Sequence, residues 1–242
     1  MSSSASVEAQ TGIATGAIDL LLQWLGRTVE PAALQWVTDE IRRQRERLDE
    51  RRLGIALGLA GRRVGRNDLS LSAADLTAAH TLRPRWRPDT WRADEAARTA
   101  LILATWTGEE QTFAGRVDRL CVTGELTEHV ACLKGFAVFP GPAGLLQRAR
   151  EAARSSMQPP FEAIACHNPY PADYFDDAAF NQMVVKCLFC GVPIESVIGL
   201  NERRNNELLR MMGDLISERR AAGRPVPDSV HRWMANANAA AD

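Results

Sequence analysis

"ADEAARTALILATW", residues 93–106, is the first of four consecutive segments in which apolar residues recur every three or four positions. This spacing places the apolar side chains on one face of an α-helix, and only a few turn residues separate one segment from the next. Short connections make successive helices antiparallel neighbours. The chain is therefore predicted to be all-α, with antiparallel helix pairs stacked in a HEAT-like, α-solenoid-like domain. The other three segments are "EEQTFAGRVDRLCV" (109–122), "ELTEHVACLKGFAVF" (125–139) and "AGLLQRAREAARSSM" (143–157).

Upstream, two more apolar-periodic segments predict an N-terminal helical hairpin. The first helix begins near Ile13, and Pro31 opens the second because proline fits the first turn of a helix. The second helix carries "RRQRERLDERR", residues 42–52, which is typical of a solvated helix face. Glycine and proline punctuate residues 61–68 and 83–91 and indicate a boundary there. We expect a disordered N-terminus at residues 1–10, the helical hairpin at residues 11–66 and a helical domain at residues 67–242.

The composition limits the classes of partner. The 29 basic residues nearly balance the 30 acidic residues, so no net field favours nucleic acid or a membrane surface. No segment approaches the roughly 20 apolar residues that span a bilayer, and the N-terminus lacks the features of a secretory signal. We therefore expect a cytoplasmic protein that does not span a membrane and does not bind nucleic acid. The five cysteines are expected to be reduced.

"HNPYPADYFDD", His167 to Asp177, contains both tyrosines of the chain. Its prolines disfavour the helical conformation at the preceding residues, Asn168 and Tyr170, so an extended or turned segment is predicted. Asp173 or Asp176 is expected to cap the following helix. That helix, residues 178–190, is apolar nearly all round, which is typical of a helix buried on several sides. We expect it at the centre of the fold, with its polar start in a cleft.

Polar residues in and after this segment are candidates for a ligand site. Each also has an ordinary structural interpretation: a turn, a satisfied core group, a lysine that reaches the surface, or arginines that neutralise the nearby aspartates. The aspartate-rich "DYFDD" is similar to the magnesium diphosphate segment of helical isoprenoid synthases, but no second metal motif follows. We predict no metal and no cofactor. The candidate binding residues are Asn168, Tyr170, Tyr174, Asn181, Lys186, Asn201, Arg203 and Arg204, and the candidate catalytic residues are His167, Asp173 and Asp177.

The C-terminal part of the chain resembles the EboA family of metabolite traffic proteins over roughly residues 140–235. The resemblance rests on "NPYPADYFDD" (168–177), "NQMVVK" (181–186) and "ERRAAGR" (218–224), which follow one another in the family's order. It implies a cytosolic helical protein of secondary metabolism, encoded beside a prenyltransferase-like membrane protein and involved in moving precursors toward export. The chain departs from the family pattern at Asn201, where the family has aspartate.

Three hypotheses of function follow. The leading one is a protein that binds a hydrophobic small-molecule metabolite, with isoprenoids among the candidates, and hands it over. The second is a scaffold that docks pathway enzymes or a membrane prenyltransferase on its helical surface. The third is a metal-independent cyclase or isomerase, in which His167, Asp173 or Asp177 moves a proton while Tyr170 and Tyr174 stabilise a developing cation.

Overall fold

The computed structural model describes residues 2–239, and thirteen α-helices and no β-strand occur over that range. The prediction of an all-α fold built from packed helix pairs is confirmed. The helices are α1 (Ser2–Thr28), α2 (Pro31–Glu46), α3 (Glu50–Arg63), α4 (Ala73–Leu82), α5 (Ala93–Leu103), α6 (Glu110–Thr123), α7 (Leu126–Gly135), α8 (Pro142–Arg154), α9 (Gln158–Ala165), α10 (Tyr170–Tyr174), α11 (Asp177–Cys190), α12 (Asn206–Ala221) and α13 (Asp228–Ala239); a 3-10 helix spans Ile194–Ser196.

Helix α5 is the enclosed element of the fold. It packs against α1, α2, α3 and α7, and every one of its residues is buried. Its sequence, "ADEAARTALIL", is rich in alanine, whose small side chain lets neighbouring helices approach closely. The charged residues of α5 are buried as well, and Arg98 Nη1 donates to Asp94 Oδ2 at 2.6 Å. One hydrophobic core, from Ala14 to Val230, surrounds this helix.

The expectation that helix 178–190 forms the centre was wrong. Helix α11 packs against α8, α9 and α12, and one face of it reaches the surface, where Phe189 is 64% exposed. Its start agrees with the prediction, because Asp176 caps the helix by accepting the Ala179 N–H at 2.8 Å. An all-round apolar sequence thus marks a helix that is covered on two sides and leaves an apolar edge exposed.

The N-terminal region differs from the prediction in two details. Helix α1 begins at Ser2, so residues 2–10 are helical, whereas Met1 lies outside the described residues. The charged segment 42–52 does not lie within one helix, because α2 ends at Glu46 and Asp49 caps α3 by accepting the Arg52 N–H. Helices α1, α2 and α3 all pack on α5. The boundary between residues 66 and 67 stays a prediction.

The segment 168–171 also departs from expectation. Tyr170 is the first residue of α10, although a proline follows it. Pro171 occupies the first turn of this short helix, where a backbone N–H would have no helical acceptor, so its missing donor costs nothing. Within the described residues, no helix combines the length and the apolarity that crossing a membrane requires.

Candidate functional site

The segment after α9 holds three helices together through Asn168. Its buried side-chain amide donates to the carbonyls of Leu133 and Ala163, both at 3.0 Å. Its oxygen accepts the backbone N–H of Tyr170 at 3.1 Å. These bonds join α7, α9 and α10. They engage both N–H donors and the oxygen of the side-chain amide, so Asn168 has a structural role inside the protein.

Tyr170 and Tyr174 lie in an aromatic cluster. Tyr170 is fully buried, and its ring centroid lies 4.8 Å from that of Tyr174 and 5.4 Å from that of Phe136. Its hydroxyl donates to the Pro142 carbonyl. Burial raises the pKa of both tyrosines. Tyr174 is 38% exposed and lies at the rim of a cavity of only 110 Å³.

The candidate catalytic aspartates are held by arginines. Asp173 pairs through both carboxylate oxygens, with Arg83 at 2.5 Å and with Arg85. Asp177 is 72% exposed and pairs with Arg203 at 2.8 Å. The described residues contain no group of three or more His, Cys, Asp or Glu that could hold a metal ion.

The loop before α12 is joined to α11 by an amide pair. The buried Asn181 and the half-buried Asn205 exchange two hydrogen bonds, at 3.0 and 3.1 Å, and Asn205 also caps α12. Arg203 donates to the carbonyls of Ala172 and Phe175 and lies over the Phe180 ring. These contacts fix the turn between α10 and α11.

The remaining candidates lie apart from these. Lys186 Nζ donates to the carbonyls of Ala153 and Ser155 at the end of α8, and burial lowers its pKa. Asn201 accepts the indole N–H of Trp233 at 2.9 Å and borders a cavity of 480 Å³. Arg204 is half-buried, and its backbone N–H donates to the Asn201 carbonyl. The structure therefore distributes the candidate binding residues over several places and does not gather them around one cavity.

His167 borders a cleft of about 600 Å³ between α5, α7, α9 and the 3-10 helix, which we call the His167 cleft. Its backbone φ is +54°, and its N–H donates to the Ser196 carbonyl at 2.8 Å, which joins α9 to the 3-10 helix. The wall combines six apolar residues with nine polar or charged ones. The apolar lining residues are Leu126, Val130, Pro159, Ala163, Val192 and Pro193, and the polar ones are Thr90, Arg92, Glu95, Thr127, Lys134, Glu162, Cys166, His167 and Ser196.

The polar floor of the cleft is an ion pair that the sequence did not reveal. Lys134 Nζ donates to Glu95 Oε2 at 2.7 Å and to the Thr90 carbonyl at 3.3 Å. Glu95 also accepts the backbone N–H of Arg92 at 2.9 Å, as part of the capping box of α5. The sequence did contain one indication of Lys134: among the 29 lysine and arginine residues of the chain, only two are lysines, and Lys134 is one of them.

The two ring nitrogens of His167 differ in surroundings. Nδ1 is enclosed and has no hydrogen-bond partner among the described residues, although Asp89 Oδ1 lies 3.5 Å away. Burial is the main cause that lowers the pKa of His167 below its ordinary value of 6.5, and the Asp89 carboxylate opposes this shift.

This lowered pKa predicts a pH dependence of stability. In the folded protein the imidazole stays neutral at a pH where the unfolded chain already binds a proton, so stability rises with pH through the region below 6.5. We expect the free energy of unfolding to fall from about pH 7 to about pH 5. It should fall less in His167→Asn, because this variant lacks the titrating imidazole. Asparagine is chosen because it tolerates the positive φ of this position. Urea titrations at each pH measure this. His129, whose pKa is also lowered by burial, should give the same direction in His129→Asn, and an unchanged slope in both variants would contradict the assignment.

Comparison with protein-family models matches residues 17–235 to the family described as "Metabolite traffic protein EboA". The matched range includes the N-terminal helices and the whole His167 cleft, so it extends well beyond the C-terminal segment that carried the resemblance. A search of curated proteins and a search of solved structures each gave no match.

Proposed function

Because the chain belongs to the EboA family of metabolite traffic proteins, we propose that it binds a hydrophobic metabolite in the His167 cleft and hands it on. The observation that carries this proposal is the cleft itself. Its volume of about 600 Å³ lies in the range of small-molecule sites, and its lining joins aliphatic side chains to hydrogen-bonding groups that can orient a ligand.

The position of the cleft also suits exchange of a ligand. Leu126 lies at its rim and is 40% exposed, so the apolar wall continues to the surface of the protein. A metabolite bound along this wall can leave without opening the core around α5. A pathway enzyme or a membrane prenyltransferase would receive it at this rim, and we place the step in the cytoplasm.

The proposal predicts that filling the cleft abolishes retention of the metabolite. Val130 is half-buried and lines the cleft, so Val130→Trp inserts a large ring into the ligand volume without entering the core. We expect the compound retained by protein from the native host to fall by about tenfold or more. Mass spectrometry of the compound released on denaturation measures it.

The matched control is Val122→Trp, because Val122 is 63% exposed on α6 and does not line the cleft. This variant should retain the wild-type amount, and circular dichroism should show that both variants are folded. If wild-type protein releases no compound, the binding proposal fails. If Val130→Trp retains as much as Val122→Trp, the compound binds elsewhere.

A further inference from the structure

The positively charged side chains around the His167 cleft are more exposed to solvent than the carboxylate with which they pair. The side chains of Lys134 and Arg92 are 19% and 35% exposed, whereas that of Glu95, which pairs with both, is only 3% exposed. The negative member of the network therefore lies underneath, and the positive members face outward. A ligand that enters the cleft meets an ammonium and a guanidinium group before it meets the carboxylate.

Three of the roughly four acceptor positions of the Glu95 carboxylate are already taken. Its carboxylate accepts from Lys134 Nζ, from the Arg92 backbone N–H and, at 3.4 Å, from Arg92 Nη2. Lys134 donates to only two acceptors among the described residues, and an ammonium carries three protons. Arg92 Nε also lies 3.5 Å from Asp94 Oδ1. One donor of Lys134 and the donors of Arg92 that face neither Glu95 nor Asp94 are left for a ligand.

The other carboxylate on the cleft wall, Glu162, is half-buried and accepts from Gln158 Nε2 at 2.6 Å on its own helix. His167, the remaining titratable group apart from the Cys166 thiol, is neutral near pH 7, because burial lowers its pKa. The cleft thus combines the free donors of Lys134 and Arg92 with an aliphatic wall formed by Leu126, Val130 and Val192.

Building on the proposed function, we infer that the ligand of the His167 cleft is an acidic amphipathic metabolite. Its carboxylate or equivalent anionic oxygen lies against Lys134 and Arg92, and its apolar body follows the aliphatic wall. Ionised acceptors form the stronger hydrogen bonds with these two groups. At roughly 30 Å³ per water-sized group, a cleft of 600 Å³ holds about twenty heavy atoms. A medium-length chain with one acidic end fits this space.

Three probes with the same ten-carbon chain test the inference: decanoate, decanol and decylammonium. We expect wild-type protein to bind decanoate about tenfold more tightly than decanol, and decylammonium most weakly, as measured by isothermal titration calorimetry. In Glu95→Gln/Lys134→Gln, which removes both charges and leaves no unpaired buried carboxylate, decanoate should lose this advantage while decanol binding changes little. Arg92→Gln should reduce the advantage in part.

The control for charge is Arg51→Gln, an exposed position on α3 outside the cleft, which should leave all three affinities unchanged. If decanol binds as tightly as decanoate, or decylammonium binds most tightly, the inference of an acidic ligand is overturned. The proposal that the His167 cleft binds a hydrophobic metabolite is then retained. If no probe binds, or if Val130→Trp binds all three as wild type does, the proposed function falls as well.

Discussion

Replacing Tyr170 with alanine is expected to lower the free energy of unfolding by about 3–5 kcal/mol, the usual cost of removing a buried aromatic ring. Tyr170 is fully buried, and its ring contacts those of Phe136, Tyr174 and Phe175. The truncation therefore leaves a cavity where α10 packs on α8 and α9. Urea denaturation followed by circular dichroism measures the change.

Tyr170→Phe separates the ring from the hydroxyl. This variant keeps the aromatic contacts and loses only the hydrogen bond to the Pro142 carbonyl, so about 1 kcal/mol is expected. A cost below about 1 kcal/mol for Tyr170→Ala would contradict the packing role and indicate that the ring borders an open site.

Replacing Arg98 with methionine is expected to destabilise the protein by about 3–5 kcal/mol, because it removes the nearest partner of the buried Asp94 carboxylate. Arg92 Nε and Arg66 Nε remain farther away, at 3.5 and 4.0 Å. The Arg98 and Asp94 side chains are 3% and 0% exposed and lie 2.6 Å apart. Arg98 Nε also donates to the Leu57 carbonyl at 3.0 Å, which joins α5 to α3. Both interactions disappear together, and the midpoint of urea denaturation should fall accordingly.

Two further variants distinguish the loss of this nearest partner from lost packing. Asp94→Leu/Arg98→Met removes both charges and should cost less than Arg98→Met alone, because no carboxylate is left without its partner. Arg210→Met removes exposed pairs with Glu207 and Asp214 and should leave the midpoint of urea denaturation nearly unchanged. If the double variant is less stable than Arg98→Met, the loss of the nearest partner of Asp94 is not the cause.

The helical periodicity was sufficient to predict the fold class but not the position of each helix. Helix α5 contains the charged residues Asp94, Glu95 and Arg98. Charged residues in a helix ordinarily predict a face exposed to solvent, yet all three are buried. Their partners include Lys134, from another helix, and the Leu57 carbonyl, and such pairings between distant segments leave no local pattern. Helix α11 gave the opposite impression, since its apolar edge at Phe189 is exposed.

For the same reason, the sequence could indicate only part of the candidate site. His167 stood out beside two tyrosines, and the structure places it on a cleft of about 600 Å³ whose polar floor is the Lys134–Glu95 pair. The polar residues around it, Asn168 and Asn181, instead satisfy backbone and amide groups inside the protein. Lys134 and Glu95 come from helices far upstream of His167, so only the packing of α5 against α7 brings them to the cleft.

The pairing of the first helix with the fifth sets an interval during synthesis of the chain. About 75 residues separate the end of α1 at Thr28 from the end of α5 at Leu103. At about 5–20 residues per second, translation of that distance takes roughly 4–15 s. Until α5 has been synthesised, the residues of α1 that pack on α5 lack this partner, although α2 and α4 can already contact α1. Chaperones that bind exposed aliphatic helices on nascent chains therefore have their longest opportunity at α1.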